Sequence, residues 1–502
     1  FNTVTTSAGT YKMEFSVGND FTGRFEGFGI NGLWDSTFYT SPAALNFIKE
    51  LKPSVIRWGS INTNAFSYGS MSGTGGTHTM TYAKFIDFAT QHNAFACIAI
   101  GTDSTPTIDW RSDPEGTAAK FMAYLTSTVT GTEGDKRKAE GFQENILKGA
   151  KGLIIELGHE VWGGANNYSE GINHNADGFN NYLKYRKWAR RIARAIKAHQ
   201  GYDPSKIIIS YSGRSPNPSD SYGLTETLLS GAKADPDTVD MIAVDGYLGG
   251  AILFTEIPFE NFYSTRVRQL LVNGVSLTND FDLTTNYKQR PLFFYATAFY
   301  SAGHYENRVG KTLFLTDYNL TNISRGISFS LTDNFLDPQF GVVGSGGEKY
   351  IFYDFIKTLN QTSKGQILST EKKFPNQHFV SYDNKNKYYK AEPVSAHAYY
   401  DNGRYSICLI NRSFENSALV KVNLPAIGTF NSTGKQYVLS GLSKHSQTLQ
   451  VDSTIVPISS GMLINIPHTS MIILTFGGPV INKIPLPFGY ISHNKPSTFS
   501  VT

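Results

Sequence analysis

Two titratable side chains, His159 and Glu160, follow a short apolar run within the stretch 152–163. The run at 153–157 is apolar enough to be a strand buried on both faces, which is typical of parallel sheets. In an eight-stranded β/α barrel, the carboxyl ends of the strands carry the catalytic groups. A carboxyl beside an aromatic ring such as Trp162 in a desolvated mouth holds its proton more tightly, which suits a general acid. We therefore expect Glu160 to be an acid/base residue, the alternative being a structural buried carboxylate paired with Arg57 or His159.

A second carboxylate, Asp317, lies in the segment 311–319, which we predict as the seventh strand of the same barrel. Two carboxylates on strands four and seven match a retaining glycosidase, in which one acid protonates the leaving oxygen and the other attacks the anomeric carbon. The carboxyl groups must be about 5–5.5 Å apart for direct attack and about 6.5–9.5 Å apart if a water intervenes. Arg57, at the end of the second predicted strand, is expected to orient Asp317 and keep it ionised.

Short apolar runs and helical patterns alternate along the first two thirds of the chain. This alternation predicts a parallel α/β fold, a (β/α)8 TIM barrel. After about residue 365, short strands separated by Pro, Gly, Asn and Ser predict an antiparallel β-sandwich. The predicted barrel strands are 25–31, 53–59, 94–101, 152–158, 206–211, 239–245, 311–319 and 326–331.

This pattern divides the chain into four segments. Residues 25–362 form the predicted barrel and residues 363–480 the predicted sandwich. Residues 1–24 alternate as a half-buried strand that we expect to complete a sheet of the sandwich. Residues 481–502 are a Pro-rich tail. Extended termini can add strands to a neighbouring subunit, so self-association through the two tails is one expectation.

Composition limits the partners. The net charge of +4 is small, and no Lys/Arg cluster is interleaved with aromatics, which argues against nucleic acid. No apolar run approaches the ~20 residues that span a membrane. Cys97 and Cys408 are far apart and predict neither a disulfide framework nor a metal site, and we expect no cofactor.

An extracellular or cell-surface location is expected. The chain begins at Phe1 without Met, which favours a processed mature form. Six Asn-x-Ser/Thr motifs add weak support, since many arise by chance in a chain rich in these residues. The candidate glycosylation sites are Asn167, Asn319, Asn322, Asn360, Asn411 and Asn431.

These segments together resemble the barrel glycosidases with catalytic groups on strands four and seven, and above all the alpha-L-arabinofuranosidases and heparanase-like beta-glucuronidases. The family pattern Glu-Leu-Gly-Asn-Glu-x-Trp-Gly resembles residues 156–163, and Leu-Thr-Glu-Tyr-Asn resembles residues 315–319. Arg57-Trp-Gly-Ser60 is similar to the family's Arg-x-x-Gly, and 411–413 and 466–471 resemble its sandwich motifs. The resemblance implies a carbohydrate substrate.

The chain also departs from the family at three positions of the site. His159 replaces an Asn that holds a sugar hydroxyl, Asp317 replaces the nucleophilic Glu, and Asp245 stands where related enzymes often carry His. Shortening Glu to Asp withdraws the carboxylate by about 1.5 Å, and a misplacement of about 1 Å can cost about 10²-fold in rate.

Arg57, His159 and Asp245 are candidates for substrate contact, although His159 also suits a hydrogen-bonded core histidine. The remaining candidates come from the same strand ends. Aromatic faces stack on sugar rings, which Trp162, Tyr247 and Tyr318 are placed to do, although each also suits packing at the barrel rim. Asn319, in the motif shared with Asp317, is a candidate both for substrate contact and for a glycan that would obstruct the mouth.

Two functions stay open at this point. The first is a secreted glycoside hydrolase that acts on a polysaccharide or glycoconjugate through Glu160 and Asp317. The second is a catalytically degenerate barrel that serves as an extracellular carbohydrate-binding or self-assembling structural protein, because fold does not guarantee activity.

Overall fold

The computed structural model contains a closed barrel and a large antiparallel sheet. It describes residues 10–31, 42–58, 81–100, 109–110, 112–158, 174–212, 238–245, 292–297, 308–324, 327–334, 342–343, 347–373, 379–382, 388–391, 393–413, 416–443 and 445–486. Side chains are described in these ranges except at 174–184, 244–245, 292–297, 333–334, 379–382 and 388–391.

Eight strands close the barrel, and every neighbouring pair is parallel. In chain order they are β2 (Phe28–Asn31), β3 (Val55–Trp58), β4 (Phe95–Ile100), β5 (Leu153–Leu157), β6 (Ile207–Ser212), β7 (Met241–Asp245), β8 (Leu292–Thr297) and β9 (Ile327–Asn334).

Two of the described helices begin at a side chain that caps a free backbone N–H group. The side chain of Thr81 accepts a hydrogen bond from the N–H of Lys84. The side chain of Asp113, which precedes a proline in the first helical turn, accepts one from the N–H of Gly116. The helices are α1 (Pro42–Leu51), α2 (Tyr82–Gln91), α3 (Pro114–Thr126), α4 (Gly134–Ala139), α5 (His174–Ala198), α6 (Val309–Ile323) and α7 (Ile351–Thr362).

The remaining strands form a nine-stranded sheet with the order β17-β16-β19-β14-β13-β10-β1-β15-β18, and a separate pair β11-β12. They are β1 (Tyr11–Phe25), β10 (Gly365–Lys373), β11 (Phe379–Tyr382), β12 (Tyr388–Ala391), β13 (Val394–Asp401), β14 (Arg404–Asn411), β15 (Ala418–Asn423), β16 (Thr433–Ser440), β17 (Gln450–Pro457), β18 (Met462–Ile466) and β19 (Ser470–Gly477).

Three apolar clusters follow from this architecture. The first fills the barrel interior with side chains such as Val55, Ile154 and Phe329. A second lies within the nine-stranded sheet, where Phe15 of β1 and Val420 of β15 share a core with strands from its other half. The third joins the barrel to its helices and to the outer face of β13, β14 and β19. The predicted fold class, a TIM barrel followed by a β-sandwich, is confirmed.

The N-terminal strand lies in the middle of the nine-stranded sheet. β1 pairs antiparallel with β10 and parallel with β15. Its alternating residues Met13, Phe15 and Val17 are buried, as the period-two pattern predicts. The chain's first described element is thus held between strands more than 340 residues later in the sequence.

The assignment of residues 311–319 to the seventh barrel strand was wrong. This segment lies in α6, and the seventh barrel strand is β8, at 292–297. The cause is the burial of α6, because 14 of its 15 residues are buried between the barrel and the sheet. A helix that is buried nearly all round does not need one apolar and one polar face, so its sequence lacks a clear amphipathic period and is easily taken for a buried strand.

Within the described ranges, no helix is both long and apolar enough to cross a membrane.

Candidate functional site at the carboxyl ends of the barrel strands

The fourth barrel strand ends at the residues that open the candidate site. Gly158 follows β5 with φ +82°, a backbone conformation that favours glycine, and its N–H donates to Ile100 O at 2.7 Å. The structure therefore fixes the chain up to the residue before His159. His159, Glu160 and Trp162 themselves lie outside the described residues, so their roles stay predictions.

Directly below this end of the barrel lies a fully buried ion pair. Arg57 on β3 donates from Nε to Glu156 Oε2 at 2.6 Å and from Nη2 to Oε1 at 3.0 Å. Its Nη1 donates to Asn31 Oδ1 at 3.2 Å. Both charged side chains are 0% exposed. One guanidinium thus connects three barrel strands, β2, β3 and β5.

The two charges of this pair also act on the thiol of Cys97 inside the barrel. Cys97, on the intervening strand β4, is fully buried, and burial raises the pKa of its thiol well above the ordinary value, with the negative charge of Glu156 raising it further. The positive charge of Arg57 opposes these effects without overcoming them. Cys97 therefore stays a neutral thiol and is not a nucleophile at ordinary pH.

The predicted contact between Arg57 and Asp317 is not present. Arg57 is paired with Glu156, whereas Asp317 lies on α6, in the outer ring of helices. A side chain on the outer ring is separated from the barrel mouth by the strand it packs on. The motif likeness at residues 315–319 therefore does not place a carboxylate on the seventh strand.

Asp317 instead belongs to the contact between the barrel and the sheet. Arg412, which follows β14, donates to it from Nε at 2.6 Å and from Nη2 at 3.1 Å. Thr321, one turn later on α6, donates to the same carboxylate at 3.3 Å. Asp317 is 0% exposed and Arg412 is 6% exposed. A bidentate pair with this burial fixes the orientation of both side chains.

Burial alone raises the pKa of Asp317, but the charge and hydrogen bonds of Arg412 outweigh it, so that its pKa lies below the ordinary value. A hydrogen bond from Ser395 acts in the same direction. His397 extends the network, since its Nδ1 lies 2.8 Å from Ser324 Oγ and its Nε2 lies 2.8 Å from Ser395 Oγ. Asp317 is therefore an ionised structural residue between two parts of the molecule.

The neighbouring candidates Tyr318 and Asn319 are also core residues of α6. Tyr318 is 0% exposed and packs in the cluster between barrel and sheet, so it is not available to stack on a sugar. Asn319 donates from Nδ2 to Leu315 O at 2.9 Å and accepts from Ser330 at 2.6 Å. These contacts account for both side chains within the protein and do not support the predicted substrate contact.

The end of the sixth barrel strand carries the remaining residues that were predicted to bind substrate. Asp245 is the final residue of β7, and its Cα partner is Ala296 on β8. Because parallel strands of a barrel end on the same side, Asp245 is at the same face as Gly158. Tyr247 lies outside the described residues. The roles of both in substrate binding stay predictions.

Four of the six predicted glycosylation sites have no room for a glycan in this fold. Their side chains are nearly or fully buried, and each Nδ2 donates to backbone carbonyls inside the protein. Asn431 is exposed, and Asn167 lies outside the described residues. The four that these contacts exclude are Asn319, Asn322, Asn360 and Asn411.

Two important residues, Glu156 and Arg412, were missed as candidates, and only Glu156 carried a local signal in the sequence. Glu156 stands inside an apolar strand, where a carboxylate requires a partner, and Arg57 is a charge of opposite sign in another buried strand. Arg412 lies in a motif that was treated only as part of the sandwich. Its link to Asp317 depends on a contact across 95 positions, which a local pattern does not reveal.

Over the described part of the chain, no three His, Cys, Asp or Glu side chains come together as metal ligands would. Neither a protein-family model nor a curated protein sequence matches the chain. Solved structures, however, match its fold over most of its length.

The alpha-L-arabinofuranosidase from Thermotoga maritima, solved with arabinose, is 12% identical with a TM-score of 0.67, covering 92% of this chain and 99% of its own. The GH51 arabinofuranosidase from Xanthomonas axonopodis pv. citri is 14% identical with a TM-score of 0.66, at 93% and 99% coverage. A GH30 endoxylanase from Clostridium papyrosolvens C71 is 12% identical with a TM-score of 0.55, at 93% and 100% coverage. The chain has the fold of barrel glycoside hydrolases.

Proposed function

We propose that this chain is a carbohydrate-binding protein with a glycosidase fold that has lost hydrolysis by double displacement. The observation that carries this proposal is the position of Asp317. A retaining glycosidase needs two carboxylates facing each other across a sugar, and Asp317 is instead paired with Arg412 on an outer helix.

The sequence of the true seventh strand supports the same conclusion. β8 runs from Leu292 to Thr297, and the stretch 292–305 contains no Asp or Glu. The first acid after the strand is Glu306, two residues before the N-cap of α6. The nucleophile that the family resemblance implies therefore has no counterpart in this stretch.

The sequence keeps the strand-four side of the family's site, which favours carbohydrate binding. Glu160 and Trp162 follow the strand-four motif, and aromatic rings beside polar groups are the usual means of holding sugars. The buried pair of Arg57 and Glu156 lies below that strand end and holds three strands at fixed spacing. Such a support keeps a binding surface in shape without taking part in bond cleavage.

The decisive experiment measures binding and hydrolysis on the same samples. A panel of polysaccharides is tested by affinity electrophoresis and calorimetry, and the recovered sugar is analysed for reducing ends. We expect binding without new reducing ends, and a loss of binding of about tenfold in Trp162→Ala, which corresponds to one lost aromatic contact of about 1.4 kcal/mol. Phe142→Ala, at a partly buried aromatic of the barrel's outer cluster, is the matched control and should bind normally. No binding to any carbohydrate would refute the proposal.

A second candidate function is hydrolysis by a single displacement. The observation in its favour is Asp245, which ends β7 on the same face as the strand-four residues. Glu160 as the acid and Asp245 as the base would need a carboxyl separation of about 6.5–9.5 Å, with a water between them. This arrangement would invert the anomeric configuration.

Aryl glycosides separate this candidate from the first. Turnover that disappears in both Glu160→Ala and Asp245→Asn but persists in Asp317→Asn would establish hydrolysis and replace the binding proposal. Turnover that disappears in Asp317→Asn at a temperature where this variant is folded would contradict both proposals. Absence of turnover in the parent protein would eliminate the enzyme.

We also infer an extracellular or cell-surface location, which suits a protein that binds polysaccharides. The exposed Asn431 is one described position where a glycan would fit this fold. Fractionation of the native cells with an antibody tests this inference, and retention inside the cell would contradict it.

A further inference from the structure

The edge strand β17 is unusual among the strands of the nine-stranded sheet. It is the last strand on one side, and β16 is its neighbour in that sheet. Seven of its eight residues are exposed, so both faces of the strand meet solvent. Two of them are apolar, Val451 at 45% and Ile455 at 68% exposure. The opposite edge strand, β18, is shorter and has alternate residues buried.

Natural sheets protect such edges with charges, prolines, bulges or covering segments. β17 pairs with β16 over eight consecutive residues without a bulge. Asp452 is its one charged residue, and its proline, Pro457, stands at the very end. A long, regular and nearly uncharged edge is a template for another strand.

The sequence of β17 is complementary to itself in one antiparallel register. Along such an edge, every second residue turns its N–H and C=O outward, so two copies bond only when residues of the same parity face each other. Four registers, centred on Asp452, Ser453, Thr454 or Ile455, keep most of the strand paired. The register centred on Ile455 is unfavourable because it places Pro457, which has no N–H, opposite Ser453. Centring on Asp452 sets two like charges directly opposite each other, which is destabilising.

The register centred on Thr454 is also unfavourable, since it places Pro457, which has no N–H, opposite Val451. In the register centred on Ser453, Val451 faces Ile455 of the second copy, and the reverse pair forms on the other side of the axis. Asp452 then faces Thr454 of the second copy. Apolar cross-strand pairs of this kind stabilise antiparallel sheets.

We propose that two copies of this chain associate through β17, in the antiparallel register centred on Ser453, and join their sheets into one. The contact is isologous, because the same surface is used by both copies. It involves a short strand from each partner, so it is a weak and concentration-dependent interface. It involves none of the residues proposed to bind carbohydrate.

Sedimentation and light scattering from micromolar to millimolar protein give the first test. We expect a reversible monomer–dimer equilibrium. Ser453→Lys sets two ammonium groups opposite each other at the axis and should weaken dimerisation by at least about tenfold. Ser453 is exposed, so the fold should persist, as circular dichroism can verify. Leu463→Lys, at a 65% exposed position on the other edge strand, is the matched control and should leave the dimer intact.

A crosslink determines the register. Ser453→Cys should form an intermolecular disulfide on mild oxidation, which removes two electrons and two protons from the facing thiols and passes them to an added oxidant such as oxidised glutathione. Cys97 and Cys408 are buried and should not contribute. Leu463→Cys should give no comparable crosslink.

Three outcomes would overturn the proposal. The first is a monomer at every concentration together with no excess crosslinking of Ser453→Cys over Leu463→Cys. The second is a dimer that Leu463→Lys disrupts and Ser453→Lys does not. The third is crosslinking of Asp452→Cys or Thr454→Cys in preference to Ser453→Cys, which would refute the register.

Discussion

Two buried ion pairs hold two of the charged residues on which the site hypothesis depended, Arg57 and Asp317. Arg57 is held by Glu156 inside the barrel, and Asp317 is held by Arg412 between α6 and the sheet. A buried pair contributes little net stability over well-packed apolar residues. Removing one partner, however, leaves the other charge buried without compensation, which strongly destabilises the fold. We therefore expect that replacing one partner of either pair will lower the free energy of unfolding substantially.

Glu156→Gln should lower the free energy of unfolding by about 3–5 kcal/mol, because it leaves the guanidinium of Arg57 buried without a carboxylate. Urea denaturation followed by fluorescence measures the change. The double variant Arg57→Met with Glu156→Leu removes both charges and should recover most of the loss. A single variant within about 1 kcal/mol of the parent would mean that water or another group solvates Arg57.

Asp317→Asn should also be destabilising by about 3–5 kcal/mol near neutral pH, with unchanged carbohydrate binding. The pKa of Asp317 is lowered in the folded state, so its stabilising contribution is fully present above the unfolded pKa of about 3.9. It is lost as the pH falls through the lower folded pKa. The stability difference between parent and variant should therefore shrink in acid. A difference that grows on acidification would contradict this assignment.

At the scale of elements, period and burial together decide what the sequence reveals. Barrel strands such as β4 and β5 are buried on both faces and stand between turn residues, so their apolar runs identify them. The helix α7 has one apolar face, and its pattern predicts it equally well. The helix α6 is buried nearly all round, so its sequence was interpreted as a buried strand. The prediction therefore placed the seventh strand, and the nucleophile on it, at the wrong position in the sequence. Long-range ion pairs have no local signature.

Close packing between barrel strands gives a prediction at this scale. A Cβ added at Gly29 on β2 would lie 2.7 Å from Val55 O and 3.0 Å from a Leu331 side-chain carbon. Because the backbone of β3 cannot move without breaking the barrel, Gly29→Ala should cost about 1–3 kcal/mol. Thermal unfolding of the variant and the parent measures this loss of stability. Gly149→Ala, where nothing lies within 4 Å, is the matched control, and equal effects of the two would refute the packing argument.

At the scale of the whole molecule, the barrel and the sheet share one apolar cluster. Tyr399, Ile410 and Met471 on the outer face of the sheet join the same cluster as the barrel helices. The ion pair of Asp317 and Arg412 lies in this contact. The contact explains how a helix of the outer ring became almost completely buried, and why its sequence lost the amphipathic pattern that would have identified it.

The central position of β1 also has a consequence for how the protein is made. Phe15, near the start of the chain, pairs with Lys372 and Val422. On a ribosome, β1 emerges before the barrel and must therefore wait, without its partner strands, until the barrel has been synthesised. Its aromatic and β-branched side chains are exposed to other nascent chains in that interval, so this segment is a site that a chaperone would protect.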